Sequence, residues 1–290
     1  MTLEQLRIFI AVAERQHVTR AAEALHITQS AASNAIAALE AQYGVPLFHR
    51  IGRRIELTEA GAMFLDEARA VLGRASAAEL ALADYGALKR GTLRVVASQT
   101  VASYWLPARL AAFHARYPGI AIELSIDNSE GAARRVLAGV AELGVVEGTI
   151  NEPVLASWTV GEDRMLLVGA SAGQVVDEGW LRAARWIVRE QGSGTRSTFE
   201  AVLRARGFDP QDMNIAMVMP SNEAVCSAVE AGAGVAVLSE FVVRRALAEG
   251  DLHEYALPMP ARPFHALRHK ERYRTRMADA LVAILRETQQ

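Results

Sequence analysis

The sequence predicts an α + α/β fold: a helical amino-terminal third, followed by a larger part in which strands and helices alternate. Three observations predict it. Residues 1–90 are rich in Ala, Leu, Glu and Gln and hold a single proline, Pro46, a composition that favours helix. After Gly91, short apolar runs of strand length alternate with segments of helical spacing. A hydrophobic fraction of 51% and mean hydropathy of +0.11 supply a sizeable core, and 290 residues suit about two domains.

Leu3, Leu6, Ile10 and Ala13 recur at helical spacing and mark a first amphipathic helix. Thr19 is the expected N-cap of a short second helix that turns Ala22 and Leu25 inward. Thr28 caps a third, with Ala32, Ile36 and Leu39 on one face and a stop at Gly44-Val45-Pro46. Only a tight turn fits between Leu25 and Thr28, which is the outline of a helix-turn-helix. Residues 47–57 interleave Leu47, Ile51, Ile55 and Leu57 with Arg50, Arg53 and Arg54, and Gly52 supplies a turn. That pattern reads as a two-stranded ribbon with a basic tip. Thr58 then caps a helix expected to run to about Leu88, with Ala60, Phe64, Ala68, Val71, Ala75, Ala78 and Leu82 along one seam. Such a rod would be on the order of 46 Å long, and a narrow apolar seam of that length predicts pairing with a second copy.

Beyond Gly91 the strand candidates are Leu93–Ala97, Ile120–Ile126, Leu143–Val146, Met165–Val168, Trp186–Val188 and Val235–Leu238. Helical patterns are predicted at about 103–115, 130–138, 196–206, 221–231 and 272–288. No internal repeat and no low-complexity tract interrupts them.

Charge narrows the function. Lys and Arg number 31 against 33 Asp and Glu, a net charge of −2 and a pI near 6.4, which excludes a strongly basic coat protein but leaves room for a local DNA-binding face. Cys226 is the single cysteine, so neither a disulfide framework nor a cysteine zinc finger is expected. No apolar run approaches the roughly 18 residues of a membrane span, and the first residues do not read as a secretion signal. A cytoplasmic protein with no membrane partner is the expectation.

With Ala32, Ile36 and Leu39 buried, the third helix presents Gln29, Ser30, Ser33 and Asn34, following Thr28, to a partner. Hydroxyls and amides at a helix N-terminus suit hydrogen bonding to base edges and phosphates in a major groove. Arginines on the ribbon beyond it are placed for phosphates or the minor groove. Residues 1–58 carry six arginines and five glutamates, so this electrostatic contribution is modest and double-stranded operator DNA needs a dimer to hold it.

The ordered run Leu6…Phe9…Ala13, Thr19-Arg20-Ala21-Ala22-Glu23-Ala24-Leu25, Thr28-Gln29-Ser30-Ala31-Ala32-Ser33, Ile36…Leu39-Glu40, Gly44-Val45-Pro46-Leu47-Phe48-His49-Arg50 and Leu57-Thr58-Glu59-Ala60-Gly61 resembles the amino-terminal signature of LysR-type transcriptional regulators. Gly91-Thr92-Leu93-Arg94-Val95, Gly192-Ser193-Gly194-Thr195-Arg196, Ser221-Asn222-Glu223-Ala224 and Ala231-Gly232-Ala233-Gly234-Val235-Ala236 are similar to that family's effector-binding domain. Asn34 and Ala35 depart from the residue types many relatives carry there, which shifts the weight of base reading to Gln29, Ser30 and Ser33. The resemblance implies a winged helix-turn-helix (1–58), a dimerising linker helix (59–90) and a two-lobed α/β effector domain (91–290) similar to type 2 periplasmic binding proteins. It also implies lobes of 91–162 plus 266–290 and of 163–265, a homodimer paired into a dimer of dimers, and RNA polymerase as a further candidate partner.

The residues point to a cleft as well. Ser98-Gln99-Thr100, Asn128, Ser193-Gly194-Thr195 and Ser221-Asn222 all lie at polar corners where a strand gives way to a helix, the carboxyl side on which open α/β sheets bind ligands. Any one corner is more simply a helix cap. Together they predict a site for a small anionic effector. No cofactor is expected, because Gly192-Ser193-Gly194 lacks a third glycine at Ser197 and no Walker-type loop occurs. His265 and His269 have no adjacent Glu and lie on a strand-like segment, so no metal is expected, and no G-x-S-x-G elbow suggests an acyl-transfer enzyme. Cys226 reads as a packed core thiol, and Trp105 and Trp186 as packing residues. A solute receptor or enzyme on the same two-lobed scaffold is the rival reading, and residues 1–90 weigh against it. A second rival is an architectural DNA-binding protein without an effector.

Overall fold

The computed structural model describes residues 1–51, 54–83, 91–148 and 150–287. The chain divides into two compact units, one formed by residues 1–85 and 137–140 and one formed by residues 86–136 and 141–290.

In the first unit α1 (Leu3–Arg15) opens with a capping box between Thr2 and Gln5. The next helix, α2 (Val18–Ala24), is capped by His17, whose Nδ1 accepts from the Arg20 N–H at 3.5 Å. Thr19, the expected cap, lies inside the helix. The left-handed Gln16 (φ 49) turns the chain early and leaves His17 extended. Thr28 does cap α3 (Gln29–Tyr43), accepting from the Ala31 N–H at 3.1 Å, and Gly44 ends it at φ 66, backbone that a Cβ disfavours. Strands β1 (Phe48–Ile51) and β2 (Arg54–Leu57) pair antiparallel as a wing. Its entry is pinned by Glu40 on α3, whose Oε1 accepts from the N–H of Leu47 at 2.7 Å and of Phe48 at 3.2 Å. Thr58 caps α4 (Glu59–Ala83), accepting from the Gly61 N–H at 2.9 Å while donating to the Pro46 carbonyl at 2.8 Å. Gly61 lets α4 start against the wing, since a Cβ there would lie 2.1 Å from the Leu47 carbonyl oxygen.

Leu6, Phe9, Leu39, Leu47 and Ala68 form the core beneath α4, and Phe64 and Leu72 pack onto it. Leu72 therefore leans inward, whereas Val71 is exposed. Of the expected seam, Phe64 and Ala68 are taken up by this core, whereas Val71 is left available to a partner helix. The expected extension of α4 to Leu88 runs outside the described residues.

The second unit carries ten strands among its described residues: β3 (Gly91–Ser98), β4 (Ile120–Asp127), β5 (Leu143–Glu147), β6 (Leu155–Asp163), β7 (Met165–Gly169), β8 (Trp186–Arg189), β9 (Ile215–Met219), β10 (Val235–Ser239), β11 (His253–Tyr255) and β12 (Arg262–His269). A π-helical turn (Val101–Trp105) leads into α5 (Leu106–Arg116), and α6 (Ser129–Ala138) follows β4. Then come α7 (Glu178–Ala183), α8 (Gly194–Ala205), α9 (Asn222–Glu230), α10 (Glu240–Glu249) and α11 (Arg276–Glu287). The strands form two five-stranded sheets, β4-β3-β5-β12-β6 and β11-β7-β10-β8-β9. Strands β5, β7, β8 and β10 are buried throughout, as expected of apolar runs covered on both faces.

Each sheet belongs to one lobe, and the chain crosses between them twice. The first crossing is at Arg164, between β6 and β7. The second lies in residues 256–261, a few residues earlier than the expected boundary at 265. Arg262–His265 already pair with β6 in the first lobe's sheet, with Arg262 opposite Asp163. Trp186 is fully buried in the second lobe's core against Phe199, and Trp105 packs edge-on to Phe264 in the first.

Candidate functional site

The carboxyl ends of the central strands bring polar residues of both lobes together. Glu147 ends β5 and is buried. The Ser98 hydroxyl donates to its Oε2, Thr100 donates to Oε1 at 3.2 Å, and Ser129 donates to its carbonyl oxygen at 2.8 Å. Arg262 lies 3.7 Å from Glu147 Oε1 and grips Asp163 with Nε and Nη2 at 2.8 and 2.5 Å. Its Nη1 donates to Thr195 Oγ1 of the second lobe at 3.1 Å. Burial pushes the Glu147 carboxyl above its ordinary value, with Arg262 pulling the other way. Burial works against the Arg262 charge too, but the hydrogen bonds of Asp163 and the charges of Glu147 and Asp163 hold the guanidinium above its usual range. Helix α8 starts against this cluster through Gly194, where a Cβ would sit 2.4 Å from the Glu147 carbonyl oxygen.

A second cluster adjoins the first through Asn222, which donates from Nδ2 to Thr100 Oγ1 at 3.0 Å. Gln99 Oε1, in the first lobe, accepts from Arg189 Nη1 at 2.8 Å and from the Asn222 N–H at 2.7 Å. Gln99 Nε2 donates to Glu223, whose other oxygen accepts from Tyr104 at 3.1 Å. The Tyr104 hydroxyl is pushed up to about 12 by burial and by that carboxylate. Arg189 also reaches Asn222 Oδ1 at 2.7 Å and pairs with Glu190.

The sequence-predicted residues thus take different stations. Ser98, Gln99, Thr100, Thr195 and Asn222 enter these clusters. Ser98 and Thr100 spend their hydroxyls on Glu147, and Thr195 accepts from Arg262, so none waits unengaged. Asn128 caps α6 through Oδ1 and reaches Glu190 Oε1 with Nδ2 at 3.3 Å. Ser193 and Gly194 open α8, with Ser193 buried. Ser221 is a helix cap, accepting from the Ala224 N–H at 3.0 Å. Sequence reasoning missed Glu147, Asp163, Arg189, Glu190 and Arg262. The available signal was a charged residue closing an apolar strand, as in Leu143–Glu147 and Trp186–Arg189. Cys226 is buried, and its thiol is pushed up to about 12 by burial and by Glu230, which leaves little thiolate at neutral pH.

In the first unit, Gln29, Ser30 and Asn34 are exposed along the first turns of α3, and Ser33 is half-buried. Gln29 Nε2 donates to Ser33 Oγ at 2.9 Å, while the Thr28 hydroxyl is shared between its cap and Ser30. Arg50 and Arg54 lie on the two wing strands, and Arg53 lies outside the described residues.

Comparison with known proteins settles what this architecture is. Residues 3–62 match the family model of the bacterial regulatory helix-turn-helix protein, lysR family, and residues 86–290 match the LysR substrate binding domain. The chain belongs to the LysR family of transcriptional regulators. This LysR-family regulator is 34% identical over 280 residues, 94% of its own length and 93% of the other's, to the uncharacterized HTH-type transcriptional regulator YeiE of Escherichia coli K12. Its fold matches the crystal structure of the LysR family transcriptional regulator CbnR with a TM-score of 0.72 at 24% identity, over the whole of both chains. It also matches the CcmR regulatory domain of Synechocystis PCC6803, solved in complex with 2-PG, with a TM-score of 0.61 at 21% identity, covering 69% of this chain and 97% of that one. It is a DNA-binding regulator with an effector-binding domain, not an enzyme. Among the described residues no helix is long and apolar enough to cross a membrane.

Proposed function

We propose that this regulator responds to a small anionic metabolite bound between its two lobes, and that the bound anion alters how the protein holds operator DNA. One observation carries the reading: hydrogen-bonding groups of both lobes converge on a single seam, Gln99 and Asn128 from one side and Arg189, Thr195 and Asn222 from the other. A ligand touching both lobes favours one closure angle and so biases the elements attached to them. The 2-PG held by the CcmR domain is a small anion, which supports the same ligand class here.

In this reading residues 1–58 contact the operator, 59–90 dimerise and 91–290 sense the effector, with the second lobe drawn at 164–261. Thr28, Gln29, Ser30, Ser33 and Asn34 face base edges and backbone, and Arg50, Arg53 and Arg54 hold phosphates. Two dimers pair on DNA in the cytoplasm, where RNA polymerase is the further partner. Operator footprinting with and without 2-PG and a panel of other small anions tests it. The expected result is an altered protection pattern with at least one anion. Protection that changes only with neutral or cationic metabolites would replace the reading.

A further inference from the structure

The pairing of Arg189 with Glu190 has the geometry of a ligand site filled by the chain itself. Arg189 ends β8 at the carboxyl edge of the second lobe's sheet, and its side chain is 4% exposed. Its Nη1 is fixed between Gln99 Oε1 and Asn222 Oδ1, at 2.8 and 2.7 Å, which holds the guanidinium plane in place. The free edge, Nε and Nη2, receives the two carboxylate oxygens of Glu190 at 2.8 and 3.0 Å, the two-point match of guanidinium and carboxylate. Asn128 of the other lobe closes over the same carboxylate with Nδ2 at 3.3 Å from Oε1.

The tenant is less firmly held than its host. Glu190 follows the end of β8, and its side chain is 30% exposed, so it can swing to water. Arg189 cannot follow it. Burial acts to raise the Glu190 carboxyl, but the Arg189 hydrogen bonds outweigh it and keep Glu190 below the ordinary range and charged. Gly192 lets the first lobe close this tightly, since a Cβ there would come within 3.2 Å of the Asn128 amide and 3.0 Å of Glu130 Oε2.

We infer that the Nε/Nη2 edge of Arg189, capped by Asn128, is the carboxylate subsite of the cleft, and that Glu190 is an internal competitor which an effector carboxylate displaces. The inference rests on the anion-cleft reading above and names the group that reads the anion. An effector carboxylate in this seat links the same two lobes that Glu190 links now. Because Glu190 must be expelled first, the effector's affinity is set by the difference between two carboxylates on one guanidinium, and removing Glu190 strengthens binding.

The test titrates acetate, as the simplest carboxylate, into the full-length protein by calorimetry and by thermal shift. Glu190→Gln keeps the shape but gives up the charge, and is expected to bind acetate roughly tenfold or more tighter than wild type. Glu190→Ala, a second variant, is expected to gain more thermal midpoint from acetate than wild type does. Arg189→Lys added to Glu190→Gln should abolish the gain, because an ammonium lacks the two-point edge. If Glu190→Gln and wild type bind acetate equally, Arg189 is not the subsite, although the anion-cleft reading stands. If neither Glu190 variant responds to acetate, the inference is overturned, and the footprinting panel judges the anion cleft separately.

Discussion

Arg262 and Asp163 face each other across β12 and β6 with both side chains buried, joined by two hydrogen bonds of 2.8 and 2.5 Å. Removing Asp163 takes from the buried Arg262 guanidinium its hydrogen-bonded carboxylate and leaves it only Glu147, 3.7 Å away. Asp163→Ala is therefore expected to cost about 3–5 kcal/mol, while Asp163→Leu combined with Arg262→Met costs much less. Denaturant unfolding of the full chain checks this. A double variant as unstable as the single one would show that some other contact of these residues dominates.

Glu147 gives a pH signature. A carboxyl held above its unfolded value binds a proton on folding, so its contribution to stability is lost as pH rises from the unfolded value of 4.5 through the raised folded one. Gln cannot titrate. Thermal midpoints of wild type and Glu147→Gln should lie closest at and below pH 4.5 and separate in favour of Gln as pH rises above it. Parallel curves would contradict the assignment.

On α4, adjacent residues should fail differently. Val71→Asp leaves the first unit folded and weakens self-association, because Val71 is exposed on the rod. Leu72→Asp lowers stability instead, because Leu72 packs against the Leu6–Phe9–Leu39 cluster. Sedimentation and circular dichroism separate the two outcomes. An unchanged oligomer in Val71→Asp would remove this face from the interface.

On DNA, Gln29→Ala is expected to change preference among operator variants by about 1–3 kcal/mol. Arg50→Ala should weaken binding on every sequence and lower the salt slope by about one unit. Salt-titrated binding to operator and scrambled DNA decides. Identical behaviour of the two variants would undo the division between α3 and the wing.

Much of this was legible from residue spacing. Thr28, Gly44 and Thr58 mark helix ends by chemistry local to each position, and the apolar runs of β5, β7, β8 and β10 mark buried central strands. What escaped depends on distant partners. His17 replaces Thr19 as a cap because Gln16 turns left-handed, which no nearby residue announces. Strand β6 has no continuous apolar run, whereas β9 is apolar from Ile215 to Met219 and was there to be read, although it turns Met217 and Val218 to solvent. The hydroxyls of Ser98, Thr100 and Thr195 were readable as cleft residues. Their engagement with Glu147 and Arg262 was not, because those partners are 47 to 67 positions away in the chain.

The most direct measurement of the central claim is calorimetric titration, against wild type, Thr195→Val and Thr100→Val, of whichever small anion most raises the thermal midpoint of the full-length protein. Each substitution keeps the side-chain shape and removes one hydroxyl from the interlobe seam. The predicted result is a loss of about 1–2 kcal/mol of effector binding in Thr195→Val, because Arg262 Nη1 loses the acceptor through which it ties the two lobes around the site. Normal effector binding in both variants would contradict a site whose affinity depends on the contacts that tie the two lobes together.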